Sequence, residues 1–197
     1  TLIKAMREER AGDPLLMLDA GDIIQGTPLA YYFAKIKPIT DGGTHPMANA
    51  MNLIGYDAAT LGNHEFNYGI PLLRTFESQL NFPLLGANAV DPKTGLPVFQ
   101  PYLIKKFKVP HGPDLKVGVL GLTNPGIAIW DRANVSGKGE FPGLVAQAKK
   151  WVPVLKKKGC DIVIVSAHSG ETTSSSYGDA LPYPENSSDL VAQKVPH

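Results

Sequence analysis

A single cysteine, Cys160, stands in the 197 residues. One thiol makes no intrachain disulfide and no cysteine-built zinc or iron–sulfur site, and it decides no redox compartment. Its place just ahead of an apolar run suits a small buried residue at the opening of a strand. Charge of one sign is missing too: 19 basic and 18 acidic residues nearly cancel. That balance removes the electrostatic footprint of a nucleic-acid duplex or a membrane surface and favours a small-molecule or exposed-ester substrate. No apolar run approaches the roughly 20 residues of a membrane span. The opening TLIKAMREER has neither a basic-then-apolar leader pattern nor an initiator Met, so the segment is expected to be internal to a longer chain. Internal repeats and heptads are absent. No G-x-G-x-x-G follows the first apolar run, which argues against a dinucleotide-binding domain.

What is plentiful is glycine, 20 residues, and proline, 17, well above the usual share of roughly 12% for the two together. Turns and loops must therefore be numerous, around what the length suggests is one core. Leu2, Ile3 and Met6 on one helical face predict a short amphipathic helix over 2–10, stopped at Gly12. Leu15–Leu18 reads as a strand covered on both faces. A helix is expected over Pro46–Ile54, with Thr44 as cap and Gly55 as terminator. Ala58–Leu61 is a second buried strand. Pro71 followed by Leu72, Leu73, Phe76 and Leu80 predicts a further helix, with a short strand in PLLGAN after it. Residues 98–109 and 115–122 flank the turn-rich PHGPD and should pair antiparallel. A helix over Leu144–Lys158 carries a proline, Pro153, that should kink it, and a basic end suited to the helix dipole. Ile162–Val165 is a third buried strand, and TTSSSYGDALPYPENSS after it reads as a mobile surface loop.

Three of these runs share one grammar: apolar strand, small residue, ligand-type side chain. Leu15–Leu18 leads to Gly21-Asp22, Ala58–Leu61 to Gly62-Asn63-His64-Glu65, and Ile162–Val165 to Ser166-Ala167-His168. In a parallel sheet with helical crossovers the carboxyl ends of strands share one edge, so Asp22, Asn63, His64 and His168 are expected to meet there. The glycines ahead of Asp22 and Asn63 let the backbone turn out of the strand and approach an ion. Carboxylate, amide oxygen and imidazole form a donor set suited to Mn, Zn, Fe, Co or Mg.

Each residue alone has a plainer reading: Asp22 a turn cap, Asn63 a left-handed turn residue, His168 a satisfied core histidine. The joint placement is what points to a metal site. Asp19 is expected to hydrogen-bond nearby backbone, and Glu65 to orient a ligand from behind. His45 at a helix start, His111 in a turn and the last residue, His197, are expected to be structural. Trp130 and Trp151 are expected to anchor core or loop rather than to form a substrate platform.

With these motifs in view, the chain resembles the calcineurin-like metallophosphoesterases of the 5′-nucleotidase branch, whose pattern is D-x-H, G-D, G-N-H-[DE], a lone H and G-H-x-H. Gly21-Asp22, Gly62-Asn63-His64-Glu65 and His168 match the middle three in order. The resemblance implies an α/β fold, a mixed β-sheet sandwich flanked by helices in α/β/β/α layers. It also implies two divalent metal ions, with Asp22 bridging them, Asn63 and His168 on the second, and His64 facing the phosphate. The outer two motifs are absent, so residues 1–197 are expected to form an incomplete catalytic domain, with a C-terminal nucleotide-binding domain elsewhere. Three ligands cannot complete two coordination shells, and a metal-free scaffold domain is the rival from another class.

Ordinary 5′-nucleotidases carry an aspartate three residues after the motif histidine, paired with it. Here that position is Asn67. Together with GDIIQGTPLA, HPMANAMN, DRANVSGK and SAHSGE, this makes the chain similar to bacterial 2′,3′-cyclic-nucleotide 2′-phosphodiesterase/3′-nucleotidases. The resemblance implies a nucleotide substrate, a location in the periplasm, on the cell wall or outside the cell, and His64 and Asn67 as the catalytic pair. A 5′-nucleotidase or broad phosphodiesterase is the nearest alternative. An amide supplies no negative charge, so charge support for His64 must come from elsewhere.

Overall fold

A computed structural model of the protein describes residues 2–172 and 175–195. His197 and positions 173–174 of the serine-rich segment lie outside them. No described helix is long and apolar enough to cross a membrane.

Helix α1, Leu2–Glu9, buries none of its side chains, and Leu2 and Met6 stay exposed. Its apolar face is therefore only partly covered, at Ile3. Arg7 ties it down by donating to the Gly55 carbonyl. Strand β1 is only Leu18–Asp19, shorter than the apolar run, because Leu15 and Leu16 precede the pairing with the next strand. After it come α2, Pro28–Tyr31, capped by Thr27 and running into a π turn at Tyr32–Ile36, two features the apolar pattern does not announce.

Helix α3, Pro46–Ile54, has the expected limits, but His45 caps it rather than Thr44: His45 Nδ1 accepts from the Met47 amide at 3.2 Å. Gly55 follows in the left-handed conformation, as a helix terminator should. Strand β2, Ala58–Thr60, is fully buried, and α4, Ile70–Ser78, turns Leu72, Leu73 and Phe76 inward. Strand β3, Leu84–Leu85, completes a parallel sheet in the order β1-β2-β3.

Strands β4, Tyr102–Phe107, and β5, Leu115–Leu122, form the expected antiparallel pair. Two short helices, α5 at Ile127–Trp130 and α6 at Arg132–Val135, follow. Helix α7, Leu144–Lys157, runs unbroken through Pro153, whose exposed position puts the missing donor on the solvent side. Strand β6, Ile162–Ala167, pairs parallel with β5, giving a second sheet in the order β4-β5-β6. Helix α8, Ser188–Lys194, is the last element.

The two sheets lie face to face. Ala58, Leu85 and Val119 are buried between them, and a Cβ at Gly121 would sit 2.2 Å from Leu85 Cβ. Helices α3 and α4 pack on the outer face of the first sheet through Met51, Leu73 and Phe76. Helices α7 and α8 cover the second through Leu144, Val152, Leu155 and Val191. The layers are thus α/β/β/α. Cys160 is buried just ahead of β6, and Trp151 anchors the second helical layer against Tyr102. The ligand-type residues do not share one sheet edge, as a single parallel sheet would require: β1 and β2 end in one sheet and β6 in the other. They meet because the sheets stack with those ends on one rim, where Thr60 Oγ1 donates to Ser166 Oγ at 2.7 Å.

The segment after β6 departs from a plain surface loop. Glu185 and Ser187 are buried in it, and the Glu185 carboxylate accepts from the Ser176 amide and hydroxyl, both at 2.6 Å. Its main chain is held to the rim by Ser169 Oγ, which donates to the Glu185 carbonyl.

Candidate active site

Beyond β1 the chain passes through Gly21 at φ 102° and Asp22 at φ 67°, a left-handed turn that a non-glycine residue adopts at a cost. Beyond β2 it passes through Gly62 and Asn63. The two turns touch. A Cβ on Gly21 would lie 2.4 Å from Gly62 N, and one on Gly62 would lie 2.3 Å from Asp22 Oδ1. Both glycines are thus required by the neighbouring loop, a closer constraint than approach to an ion.

Glu65 locks this contact from behind. Fully buried, it accepts from the amides of Asp22 at 2.8 Å, Ile23 at 2.5 Å and Gly62 at 2.6 Å. Burial pushes its carboxyl up, and those three donors oppose the shift. With both oxygens turned to backbone, Glu65 orients the ligand loops, the role its position suggested. Asp19 likewise accepts from the Gly21 amide.

His168, directly after β6, closes the triangle. Its Nε2 lies 3.1 Å from Asp22 Oδ2 and 3.1 Å from Asn63 Oδ1, while Nδ1 donates to the Ala20 carbonyl at 2.7 Å. With the proton held on Nδ1, the Nε2 lone pair faces two oxygen acceptors. Three electron-rich atoms so placed need either an extra proton or a cation between them, and backbone anchoring of the far nitrogen is how metal-binding histidines are set. Asp22, Asn63 and His168 therefore fit a divalent ion. Among the described residues no three His, Cys, Asp or Glu side chains gather to hold a metal; the third donor here is the Asn63 amide. Burial disfavours charge on both groups. Their mutual contact overrides it, holding Asp22 below its ordinary value and His168 above.

His64 stands beside this triangle, its amide donating to Asp22 Oδ1 at 2.9 Å and its Nδ1 2.6 Å from Asn67 Oδ1. Asn67 Nδ2 in turn donates to Asp131 Oδ1 at 2.8 Å. Asn63, His64, Asn67, Trp130, Asp131 and Tyr177 line one cavity of about 290 Å³. A larger groove of about 570 Å³, between α7, β6 and α8, is mainly apolar and carries none of the ligand-type side chains, so the chemistry belongs to the smaller one.

The match to known proteins follows the same residues. The family model described as calcineurin-like phosphoesterase matches residues 1–192. The chain belongs to this family. Calcineurin-like phosphoesterases use divalent metal ions, in keeping with the donor set here. The chain is 44% identical over 174 residues to a 2′,3′-cyclic-nucleotide 2′-phosphodiesterase/3′-nucleotidase of Salmonella typhimurium, covering 86% of this chain and 26% of that protein. It is 38% identical to the protein of the same description in Haemophilus influenzae, covering 100% of this chain and 29% of the relative. The crystal structure of the calcineurin-like phosphoesterase YfkN from Bacillus subtilis superposes with a TM-score of 0.86 at 34% identity, over 98% of this chain and 58% of that one. The chain thus spans between a quarter and a third of the two curated relatives.

Sequence reading missed three residues at or just behind this cavity. Asp131 and Asn134 lie in the DRAN stretch; Asn134 Nδ2 donates to the carbonyls of Phe66 and Asn67. Tyr177 lies in the segment read as loop. Its ring meets Trp130 edge-on at 5.5 Å, and Trp130 Nε1 donates to Asp179 Oδ2. Trp130 is therefore the expected loop anchor and also a wall of the cavity. The only sequence signal was the Trp-Asp-Arg-Ala-Asn composition ahead of a glycine, which carries no period.

Proposed function

We propose that this chain is the metal-binding part of a phosphoesterase that opens 2′,3′-cyclic nucleotides to 3′-nucleotides and then releases phosphate. The reading is carried by the convergence of Asp22, Asn63 and His168 beside His64. Asp22, Asn63 and His168 would hold divalent cation there. Side chains outside residues 1–197 would complete the shells, in keeping with the 26% span of the Salmonella relative. When bound, such ions polarise phosphoryl oxygens and lower the pKa of water.

The chain's own residues supply the rest. His64, with its Nδ1–H held by Asn67 Oδ1, presents Nε2 to the substrate; with a second proton on the ring, Nε2–H donates to a phosphoryl oxygen or to the departing ribose oxygen, and the Asn67 oxygen supports that doubly protonated ring. Trp130 and Tyr177 give the ribose or base an apolar wall on the same cavity. Residues 1–197 act as a catalytic domain that works with a nucleotide-binding domain supplied elsewhere, at an extracytoplasmic location. Asn67, in the place of an aspartate, favours the cyclic substrate over a 5′-nucleotide.

Hydrolysis of 2′,3′-cyclic AMP and 5′-AMP by the intact protein with Mn²⁺ tests the reading. The cyclic substrate should turn over faster, and His64→Ala should lower kcat by about 10² or more. Preference for 5′-AMP would make the protein a 5′-nucleotidase, and no turnover with less than one ion bound per chain would make it a scaffold.

A further inference from the structure

Asp131 is nearly inaccessible, 6% exposed, and sits at the N-cap of α6. An aspartate there ordinarily accepts from the first free amides of the helix. This one makes no such bond. Oδ1 instead accepts from Asn67 Nδ2 at 2.8 Å, and Oδ2 is buried with no hydrogen-bond partner among the described residues. Capping therefore does not explain why a carboxylate is kept here at the cost of burial.

The partner does. A carboxylate only accepts, so it accepts from the NH₂ of Asn67 and leaves Oδ1 of that amide turned to His64 Nδ1, 2.6 Å away. Oδ1 only accepts as well, so the proton of the imidazole rests on Nδ1 and Nε2 faces the cavity. Without an acceptor-only group behind it, the amide could rotate by 180° and present NH₂ to His64, moving the proton to Nε2. Asn134, three residues on, holds the carbonyls of Phe66 and Asn67, so the start of α6 grips this turn by both side chain and main chain.

We propose that Asp131 is a positioning residue of the His64 centre, its carboxylate acting on the imidazole through the Asn67 amide. Asn67 and Asp131 together then do for His64 what one directly bonded carboxylate would do. The inference rests on the hydrolase reading for its effect on turnover and on geometry alone for its effect on His64.

Asp131→Asn keeps the shape and removes the charge and the acceptor-only character. In the intact protein with Mn²⁺ and 2′,3′-cyclic AMP it should lower kcat by about 10–100-fold, a usual scale for supporting partners of this kind, with KM and metal content little changed. Exchanging the two groups, in Asn67→Asp/Asp131→Asn, places the carboxylate on the imidazole and an amide donor behind it. This double variant should recover to within a few-fold of wild type. Wild-type kcat in Asp131→Asn, or a double variant no better than the single, would overturn the proposal.

Nitrogen NMR of His64 in the metal-free protein, at a pH where the ring is neutral, reads the same relation without turnover. Wild type should show the proton on Nδ1 and Asp131→Asn a mixture of tautomers. An unchanged tautomer would overturn the proposal. An inactive wild type with the predicted tautomer shift would instead overturn the hydrolase reading and leave the relay standing.

Discussion

Glu65 Oε2 accepts the backbone N–H of Asp22 at 2.8 Å, so a buried carboxylate from one strand-end turn fastens the turn that carries Asp22 at the end of another. The same oxygen takes the Gly62 amide, and Oε1 takes that of Ile23. Glu65→Gln turns one oxygen into a donor facing donors. It should destabilise the protein by about 2–3 kcal/mol, the usual scale for leaving a buried group of this kind unpaired, read as a lower urea midpoint with unchanged slope. Retained stability would show that the three amides have other partners.

Gly62 is a steric test of the same junction. Its φ is not in the left-handed region, so alanine there meets no strain of its own backbone, but its Cβ falls on Asp22, 2.3 Å from Oδ1 and 2.6 Å from the main-chain N. Gly62→Ala should weaken divalent-ion binding by about 10–100-fold, as displaced ligand geometry commonly does. Gly139→Ala, at a glycine outside the left-handed region whose Cβ would make only ordinary contact with Phe141 at 3.6 Å, should leave ion binding unchanged. Titration calorimetry with Mn²⁺ compares the two.

His45 predicts a pH dependence of stability away from the site. It is 1% exposed, caps α3 through a neutral Nδ1, and burial depresses its pKa below the ordinary value near 6.5. At low pH the unfolded chain therefore takes up a proton that the folded chain resists. The stability contribution is full above about 6.5 and is lost as pH falls through the depressed folded value. Denaturation midpoints should fall over that range in wild type and fall less in His45→Asn, which keeps a capping oxygen but does not titrate.

Trp130 separates substrate binding from metal binding. Stacking of a base or sugar on its ring is worth about 1–3 kcal/mol, so Trp130→Ala should raise KM for 2′,3′-cyclic AMP by about tenfold while bound metal stays constant. A free passage for the ring depends on Gly126, where a Cβ would fall 2.3 Å from it. Unchanged KM would leave Trp130 as the anchor of Asp179 alone.

The strands and long helices were legible in the sequence because apolar periodicity reports burial, and β2, α4, the β4–β5 pair and α7 follow it; β6 forms where expected but is not the buried strand its apolar run suggested, since it pairs with β5 alone and Ile162 is 46% exposed. The meeting of Asp22, Asn63 and His168 was legible because small and polar residues interrupt that pattern at three strand ends, with glycine at two of them. What stayed hidden depends on tertiary contact. The cap by His45 depends on a neighbour distant in sequence, since Gln79 Oε1 accepts the His45 amide at 2.8 Å. Whether one sheet or two bring Asp22 and His168 together is set by the stacking at Leu85 and Gly121, which no local pattern encodes. Asp131 escaped for the same reason: its partner is 64 residues away. The segment holding Tyr177 and Glu185 lacks periodicity because side-chain hydrogen bonds, not an apolar face, hold it.

The most direct test is the divalent-ion content of the intact protein after dialysis, wild type beside His168→Ala and Asn63→Ala, each checked for an unchanged fold by circular dichroism. The account predicts that both substitutions weaken Mn²⁺ binding at one site, by about 10²-fold or more given that even supporting residues contribute about 10–100-fold. Equal ion content and affinity in all three proteins would contradict it.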